Sequence, residues 1–399
     1  PPPPSPFHNR KEMDAGRWPS TTGNPSGGGC SNAPPKGKFD HPTPAERVGE
    51  GKKDAGSGSG GMVTVHGDML EGGGQILRNS VAYAALLGVH LTIDQIRKRR
   101  SRPGLRAQHL IGIQLAASIK GATLEGDDLN STQITFKPPE TSIEAKDEYL
   151  GDCKTAGSVC LLVQTALPVL IFQDKKTCLT LRGGTNAIKA PMVEYMSQIL
   201  LPFLKKHADI HTEAIIEKRG LYPKGGGKVR LLTNPVTEKI KAFHVLERGD
   251  LVNVTGEAVV CGKLPEKLAQ AMASAAEKHV RFYLKSSGID EKGIDIKIVS
   301  KKEQHPHSTG AFIILKATTS TGCQLASSSI CERGQKAETV GHRAAQQLVV
   351  EWKAGGCVDS HLQDQMVIFM ALAAGKSRVL SGPLTLHTRT AIYIAERLT

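Results

Sequence analysis

The sequence predicts an α+β fold of three repeated α/β modules with one smaller α/β domain inserted. Three observations predict it. The same order of strand and helix patterns occurs twice in succession from Met62. Comparable glycine- or small-residue-led helix starts fall at Gly72 and Thr155, 83 residues apart. The next such start, Thr339, comes 184 residues after Thr155, which is one period plus about 100 extra residues. Repeats of this length are too long for a solenoid and point to modules packed as one body.

Residues 1–61 are rich in Pro, Gly and Ser and poor in large apolar residues, so they are expected to be a disordered extension. Gly56–Gly61 formally matches G-x-G-x-x-G, but no strand precedes it, so the match carries no nucleotide site. From Met62 the alternation of apolar runs gives a first unit: strand 62–66, helix 75–88, strand 90–97, helix 103–120 and strands within 122–137. A second unit follows: strand 142–146, helix 155–171, strand 177–182, helix 190–207 and strands within 210–232. The extra residues hold a strand at 251–260, a long helix at 265–287 and strands at 293–300 and 311–318. The domain plan is therefore an extension 1–61, a body of three repeated modules 62–249 and 339–399, and an inserted domain 250–338.

The chain has 399 residues, a net charge of +13 and 39% hydrophobic residues, a globular composition with a lean towards polyanionic partners. Aromatics are only 4%, so base stacking is not expected to dominate binding. The eight cysteines form no Cys-x-x-Cys and no zinc spacing. With no signal peptide evident, this leads to an expected intracellular location with free thiols. No run of 18 apolar residues exists, so no membrane span is expected.

Leu70-Glu-Gly-Gly-Gly-Gln-Ile-Leu-Arg78 is the most informative stretch. A strand, a glycine turn and a helix start aim backbone N–H groups at an anion. Glu71 beside such a phosphate site suggests a divalent cation between the two. Surface turn glycines with a stray acid are the plain alternative. Arg97, Lys98, Arg99, Arg100, Arg102 and Arg106 fall within ten residues, just before Gln108 and His109. They suit phosphate contacts, with a solvated turn or a nuclear-import patch as the alternative. Lys154–Ser158, Gly183–Asn186 and Tyr222–Gly227 are further small-residue turns, expected to share one cleft with the first. Gly375-Lys376-Ser377 ends like a P-loop, but Met370 stands at the first glycine position, which excludes one. His387, in Leu384–Thr390, reads as lying at a strand end before the last helix. A neutral imidazole there can attack phosphorus, and Arg389 can neutralise the developing charge.

Leu70–Arg78, Arg97–His109, Lys154–Gln164, Gly183–Pro191, Tyr222–Gly227, His361–Gln365 and Pro383–Thr390 occur in that order. Together they closely resemble the RNA 3′-terminal phosphate cyclases, in their catalytic, histidine-containing branch, over about 62–399. The resemblance implies modules like the C-terminal domain of translation initiation factor three. It implies ATP with Mg²⁺ or Mn²⁺, and an RNA bearing a 3′-terminal phosphate as partner. It places the adenylated nucleophile at His387 and the metal at Glu71. It places Gln164, Pro191, His361, Asp364 and Gln365 at the nucleotide, and Arg78, Arg97, Arg100 and His109 around the phosphates and RNA end. A nuclear location accompanies this reading. His361 stands where many family members carry a tyrosine that stacks on adenine. The chain also ends at Thr399, before a last strand and tail found in relatives, with an expected cost to the third module. Two other classes are weighed: a non-catalytic cyclase-like protein of ribosome biogenesis, expected to lack His387, and an enolpyruvyl transferase, which needs neither that histidine nor the arginine cluster.

Overall fold

The computed structural model describes residues 62–141, 143–304 and 306–399. The extension 1–61 lies outside the described residues.

The first sheet holds β1 (Val63–His66), β2 (Leu91–Asp94), β3 (Thr123–Glu125) and β4 (Ile134–Lys137) in the order β1-β2-β4-β3. β1 and β2 are parallel, with Val63 opposite Leu91, and the other pairs are antiparallel. The parallel pair needs a crossover, and α1 (Gly74–Leu87) supplies it. Gly88 ends α1 in the left-handed region at φ 68°, where a side chain would be strained. α2 (Ala107–Lys120) then packs beside α1.

The second sheet has the corresponding order β5-β6-β8-β7, from β5 (Glu148–Asp152), β6 (Thr177–Gly183), β7 (Thr212–Lys218) and β8 (Gly227–Thr233). Again the first pair is parallel and the rest antiparallel. Its crossover helix, α3 (Val159–Leu170), is apolar nearly all round because it packs against both α1 and α2. α4 (Val193–Tyr195) runs through a π-helical stretch, Met196–Leu200, into α5 (Leu201–Ala208).

β9 (His244–Val245) pairs in parallel with β14 (Arg378–Val379), His244 opposite Arg378. The intervening chain makes a third four-stranded sheet, ordered β11-β10-β12-β13: β10 (Leu251–Cys261), β11 (Asp295–Lys302), β12 (Gly310–Thr319) and β13 (Gln324–Cys331). α6 (Lys267–Ser286) covers it with Ala269, Met272, Ala276, Val280 and Leu284, a helical stripe. α7 (Ala337–Lys353) adds Val340, Ala344 and Leu348 to that same separate core. α8 (Ser360–Gln365), α9 (Val367–Leu372) and α10 (Leu386–Leu398) instead join the core of the first two sheets, through Leu362, Met366, Phe369 and Ile394.

Several expectations move. The helix expected at 103–120 starts at Ala107, because Gly104 is left-handed at φ 78° and Arg106 is extended. The strand expected at 142–146 lies at 148–152, paired with β6 (residue 142 is outside the described residues). α7, which the sequence plan sets after 338 in the body of repeated modules, packs on α6 and β13 and adds Val340, Ala344 and Leu348 to the core of the third sheet. His387 sits in the first turn of α10, with Thr385 as the N-cap, not at a strand end. β9, β13, β14, α8 and α9 have no counterpart in the sequence reading.

Candidate active site

The link from β1 to α1 presents Glu71. Leu70 and Gly72 both take positive φ there, 47° and 60°, which turns the chain sharply on either side of Glu71. The Glu71 amide donates to Thr390 Oγ1 at 3.3 Å, fastening the turn to α10. The neighbouring glycines let the site side chains close over the turn, and a side chain there would displace them. A Cβ on Gly73 would overlap the Glu71 carboxylate and come within 2.8 Å of Arg100 Nη2. A Cβ on Gly74 would lie 2.7 Å from Arg78 Nη1 and 2.8 Å from His109 Nε2.

Arg100 reaches across the turn. Its Nη2 donates to the Glu71 carbonyl at 2.7 Å and forms an ion pair with Glu71 Oε1. Glu71 Oε2 is buried and has no hydrogen-bond partner among the described residues. Arg78 Nη2 donates to Gln75 Oε1 at 2.6 Å, and Gln75 Nε2 donates to Asp364 Oδ2 at 2.8 Å, so one relay joins α1 to α8. Burial holds the Arg78 pKa below the ordinary guanidinium value, against the attraction of Asp364 and Glu71. Burial also raises the Asp364 carboxyl, while His387, His361 and Arg78 pull it the other way.

His109 is buried at the start of α2. Its Nδ1 accepts the Arg106 amide at 3.2 Å. Burial, then Arg78, Arg97 and Arg106, push its pKa down to about 3, so the ring is neutral at neutral pH. With Nδ1 accepting, the proton belongs on Nε2, the atom that faces Gly74 and Arg78.

Opposite lie the residues of the C-terminal helices. The His361 amide donates to Asp359 Oδ1 at 3.0 Å, and its exposed ring meets Tyr195 edge-on, with ring centres 5.7 Å apart. Asp359 also accepts Tyr195 Oη at 2.6 Å and the Ala326 amide of β13 at 2.9 Å. His387 is exposed in the first turn of α10. The buried Gln363 holds its cap, accepting Thr388 Oγ1 at 2.6 Å and the Thr385 amide at 3.0 Å.

A cleft of about 750 Å³ is lined by Glu71, Arg78, Arg100, Gln164, Pro191, His361, Asp364 and His387. Three expected site residues stand outside its lining. Arg97 Nη1 is spent on the Arg102 and Gly104 carbonyls at 2.8 and 2.9 Å. His109 lies beneath the glycine turn, and Gln365 is buried, donating to the His361 carbonyl at 2.7 Å. Arg389 is exposed but does not line the cleft; two residues from His387 on a helix, it points about 200° away. The turns at Lys154, Gly183 and Gly226 come together, but in a separate groove.

The opposite wall comes from β13 and α7, through Ser328, Ser329, Ile330, Glu332 and Arg343. Arg343 Nε donates to Ser329 Oγ at 2.8 Å. No motif signals these residues in the sequence. Gln75 and Thr390 lay inside quoted motifs, and their polar side chains on buried faces were the available signal.

The cleft thus sets an exposed imidazole against two guanidinium groups and a carboxylate with a free oxygen. That set can form a bond to phosphorus and hold the displaced anionic charge. Residues 69–399 match the family model described as RNA 3′-terminal phosphate cyclase. A Dictyostelium discoideum protein named as a probable RNA 3′-terminal phosphate cyclase is 37% identical, over 84% of this chain and 76% of that one. RNA 3′-terminal phosphate cyclases of Drosophila melanogaster and Archaeoglobus fulgidus are 35% and 37% identical, over 85% and 84% of this chain and 91% and 94% of theirs. With these residues around one cleft and these relatives along almost all of the described chain, the protein belongs to the RNA 3′-terminal phosphate cyclase family.

Proposed function

We propose that the protein converts an RNA 3′-terminal phosphate to a 2′,3′-cyclic phosphate at the expense of ATP. The observation that carries this is the exposed imidazole of His387 on one cleft with Glu71, Arg78 and Arg100. In the first step a His387 ring nitrogen attacks the α-phosphorus of ATP; a P–N bond forms, the α–β P–O bond breaks and pyrophosphate leaves. In the second, an oxygen of the RNA 3′-phosphate attacks the same phosphorus and the P–N bond breaks. In the third, the adjacent 2′-oxygen loses its proton, attacks the 3′-phosphorus and expels AMP. The adenylate makes the last step accessible, because AMP is a far better leaving group than hydroxide or oxide.

Arg78 and Arg100 are assigned to the phosphate charge, and neutral His109 to donating from Nε2 beneath the glycine turn. Gln164, Pro191, His361, Asp364 and Gln365 are assigned to the nucleotide. Arg97 is assigned through its loop, by holding the segment that carries Arg100 and by adding positive potential. Mg²⁺ or Mn²⁺ fits Glu71, whose Oε2 is buried without a partner among the described residues. Among the described residues no group of three His, Cys, Asp or Glu side chains is arranged for a metal. That suits a cation held by one carboxylate together with substrate phosphates and water. When bound, the cation neutralises the phosphates and the departing pyrophosphate.

The matching orders of the first two sheets support three modules like the C-terminal domain of translation initiation factor three. The β9–β14 pair supports a third module interrupted by the smaller inserted domain. The arginine-rich run supports a nuclear location, checked by imaging the tagged protein with and without Arg97–Arg102. Among the described residues no helix is long and apolar enough to cross a membrane. An RNA oligonucleotide with a labelled 3′-phosphate tests the reaction. Its phosphate should become phosphatase-resistant with ATP and metal, and not without ATP. Phosphatase-sensitive ends after prolonged incubation would overturn the proposal.

A further inference from the structure

A second concave surface lies apart from the cleft, at one end of the β5–β8 sheet. It is a groove of about 330 Å³ into which Lys154, Arg182, Lys218, Lys224 and Lys228 all converge, with Asp152 as the one carboxylate in its lining. Asp152 answers two of these cations, Lys154 Nζ at 3.0 Å and Arg182 Nη1 at 3.9 Å. Lys228 shares Glu217 with Arg230. Lys218 and Lys224 have no ion pair among the described residues, and both are exposed. Five cations around one carboxylate repel one another. Such an arrangement adds nothing to folding and is relieved by a polyanion.

Arg182, Lys218 and Lys228 come from β6, β7 and β8, and Lys154 and Lys224 from the turns after β5 and β7, so the charge is spread over several elements and not gathered by one loop around one phosphate. Tyr222, 71% exposed, stands in the turn that carries Lys224. Lysines along a groove with an accessible aromatic ring are the recurring means of holding a single strand without reading its sequence.

The groove and the cleft have no lining residue in common, but both adjoin the start of α2. The Ser158 amide, just after the Lys154–Gly157 turn, donates to Gln108 Oε1 at 3.2 Å. A Cβ on Gly157 would lie 3.2 Å from the Gln108 Cβ. The next residue, His109, faces Gly74 and Arg78 below the cleft. The start of α2 therefore bridges the two surfaces, with Arg106 beside the path.

We infer that this groove binds the sugar–phosphate backbone of the single-stranded RNA upstream of its 3′-terminal phosphate. Lys154, Arg182, Lys218 and Lys224 meet successive phosphates, and Tyr222 stacks on a base. This rests on the RNA cyclase reading above, and adds to it a strand path and a requirement for substrate length.

The test uses the full chain and 5′-fluorescein-labelled single-stranded RNAs ending in a 3′-phosphate, one of three nucleotides and one of fifteen. Anisotropy is measured across a salt series, and KM for cyclisation is measured in parallel. Lys154→Ala/Lys218→Ala/Lys224→Ala should weaken the fifteen-mer on the order of tenfold at physiological salt, and should lower the slope of log K against log salt by about 2. Its effect on the trinucleotide should stay under twofold. Tyr222→Ala should weaken the fifteen-mer on the order of fivefold. Lys278→Ala/Lys285→Ala/Lys292→Ala removes the same charge from the inserted domain and should change neither RNA. Equal losses on both lengths, or equal losses in that control, would overturn the groove, as would a fifteen-mer affinity untouched by the triple substitution. If the unsubstituted protein cyclises the fifteen-mer while those losses fail to appear, only the groove falls. If it neither binds nor cyclises any 3′-phosphorylated RNA, the cyclase reading falls with it.

Discussion

Arg78 and Arg100 of the cleft and Lys218 and Lys224 of the groove are held in opposite ways. Arg78 and Arg100 are tied down, one through Gln75 to Asp364, the other on both the carbonyl and the carboxylate of Glu71. Lys218 and Lys224 are exposed. Fixed donors stabilise charge that develops at one point, because no reorganisation is needed when it appears. Loosely held lysines attract a chain of phosphates but discriminate poorly among them. The contrast separates a place for chemistry from a place for length.

The comparison breaks most visibly at Glu71. Glu71→Gln removes the charge that holds Arg100 and the free oxygen offered to the cation. Adenylation should slow on the order of a hundredfold and need more Mg²⁺ or Mn²⁺ for half-maximal rate, measured by single-turnover ATP cleavage over a metal titration. An unchanged rate at limiting metal would remove Glu71 from the site.

Arg100→Ala sharpens the contrast from the other side. It should weaken RNA ending in a 3′-phosphate on the order of tenfold more than RNA ending in a 3′-hydroxyl, since a fixed guanidinium reads the terminal group. Equal losses for the two ends would make Arg100 another non-specific cation.

Gln363 tests whether fixed geometry matters around His387. Gln363→Ala leaves the Thr385 amide without its acceptor and the Thr388 hydroxyl with only Thr385 Oγ1, 2.8 Å away, a cost of about 1–3 kcal/mol. Adenylation should fall about tenfold, with KM for ATP nearly unchanged, because the imidazole is misaimed while the nucleotide walls stay. A rise in KM alone would place Gln363 in nucleotide binding.

His109 should give the smallest effect at neutral pH and a clear one in acid. The folded ring takes a proton only near pH 3, while the unfolded ring does so near 6.5. The unfolded chain therefore holds more protons between these values, so this contribution is complete above about pH 6.5 and is lost as pH falls towards 3. His109→Gln should lose less stability between pH 7 and pH 5, by about 2 kcal/mol, in urea titrations. Parallel acid profiles for the two proteins would show that His109 is not buried neutral.

How much of this could be read beforehand depended on locality. Glu71, Gly73 and Gly74 were legible because strand, turn and helix signals are contiguous there. So were the long amphipathic helix over 267–286 and the alternating burial of β6. β13 was not, since Gln-Leu-Ala-Ser-Ser-Ser-Ile-Cys lacks the bulk that marks a strand and gains its order from pairing with β12. Arg343 and Ser329 reach the cleft only because the inserted sheet stands against it, a relation with no sequence period. Arg389 stands off the cleft lining, because 386–398 is helical where the sequence reading had a strand end, and a helix turns it away from His387. Arg97, expected around the phosphates and RNA end, bonds two loop carbonyls through Nη1, a contact with no signal in the sequence.

The most direct measurement is intact mass, with peptide mapping, after incubation with ATP and Mg²⁺. The account predicts one AMP adduct, located on His387, lost on mild acid treatment as a P–N bond is, and absent from His387→Ala. A stable AMP adduct on His387→Ala would contradict it.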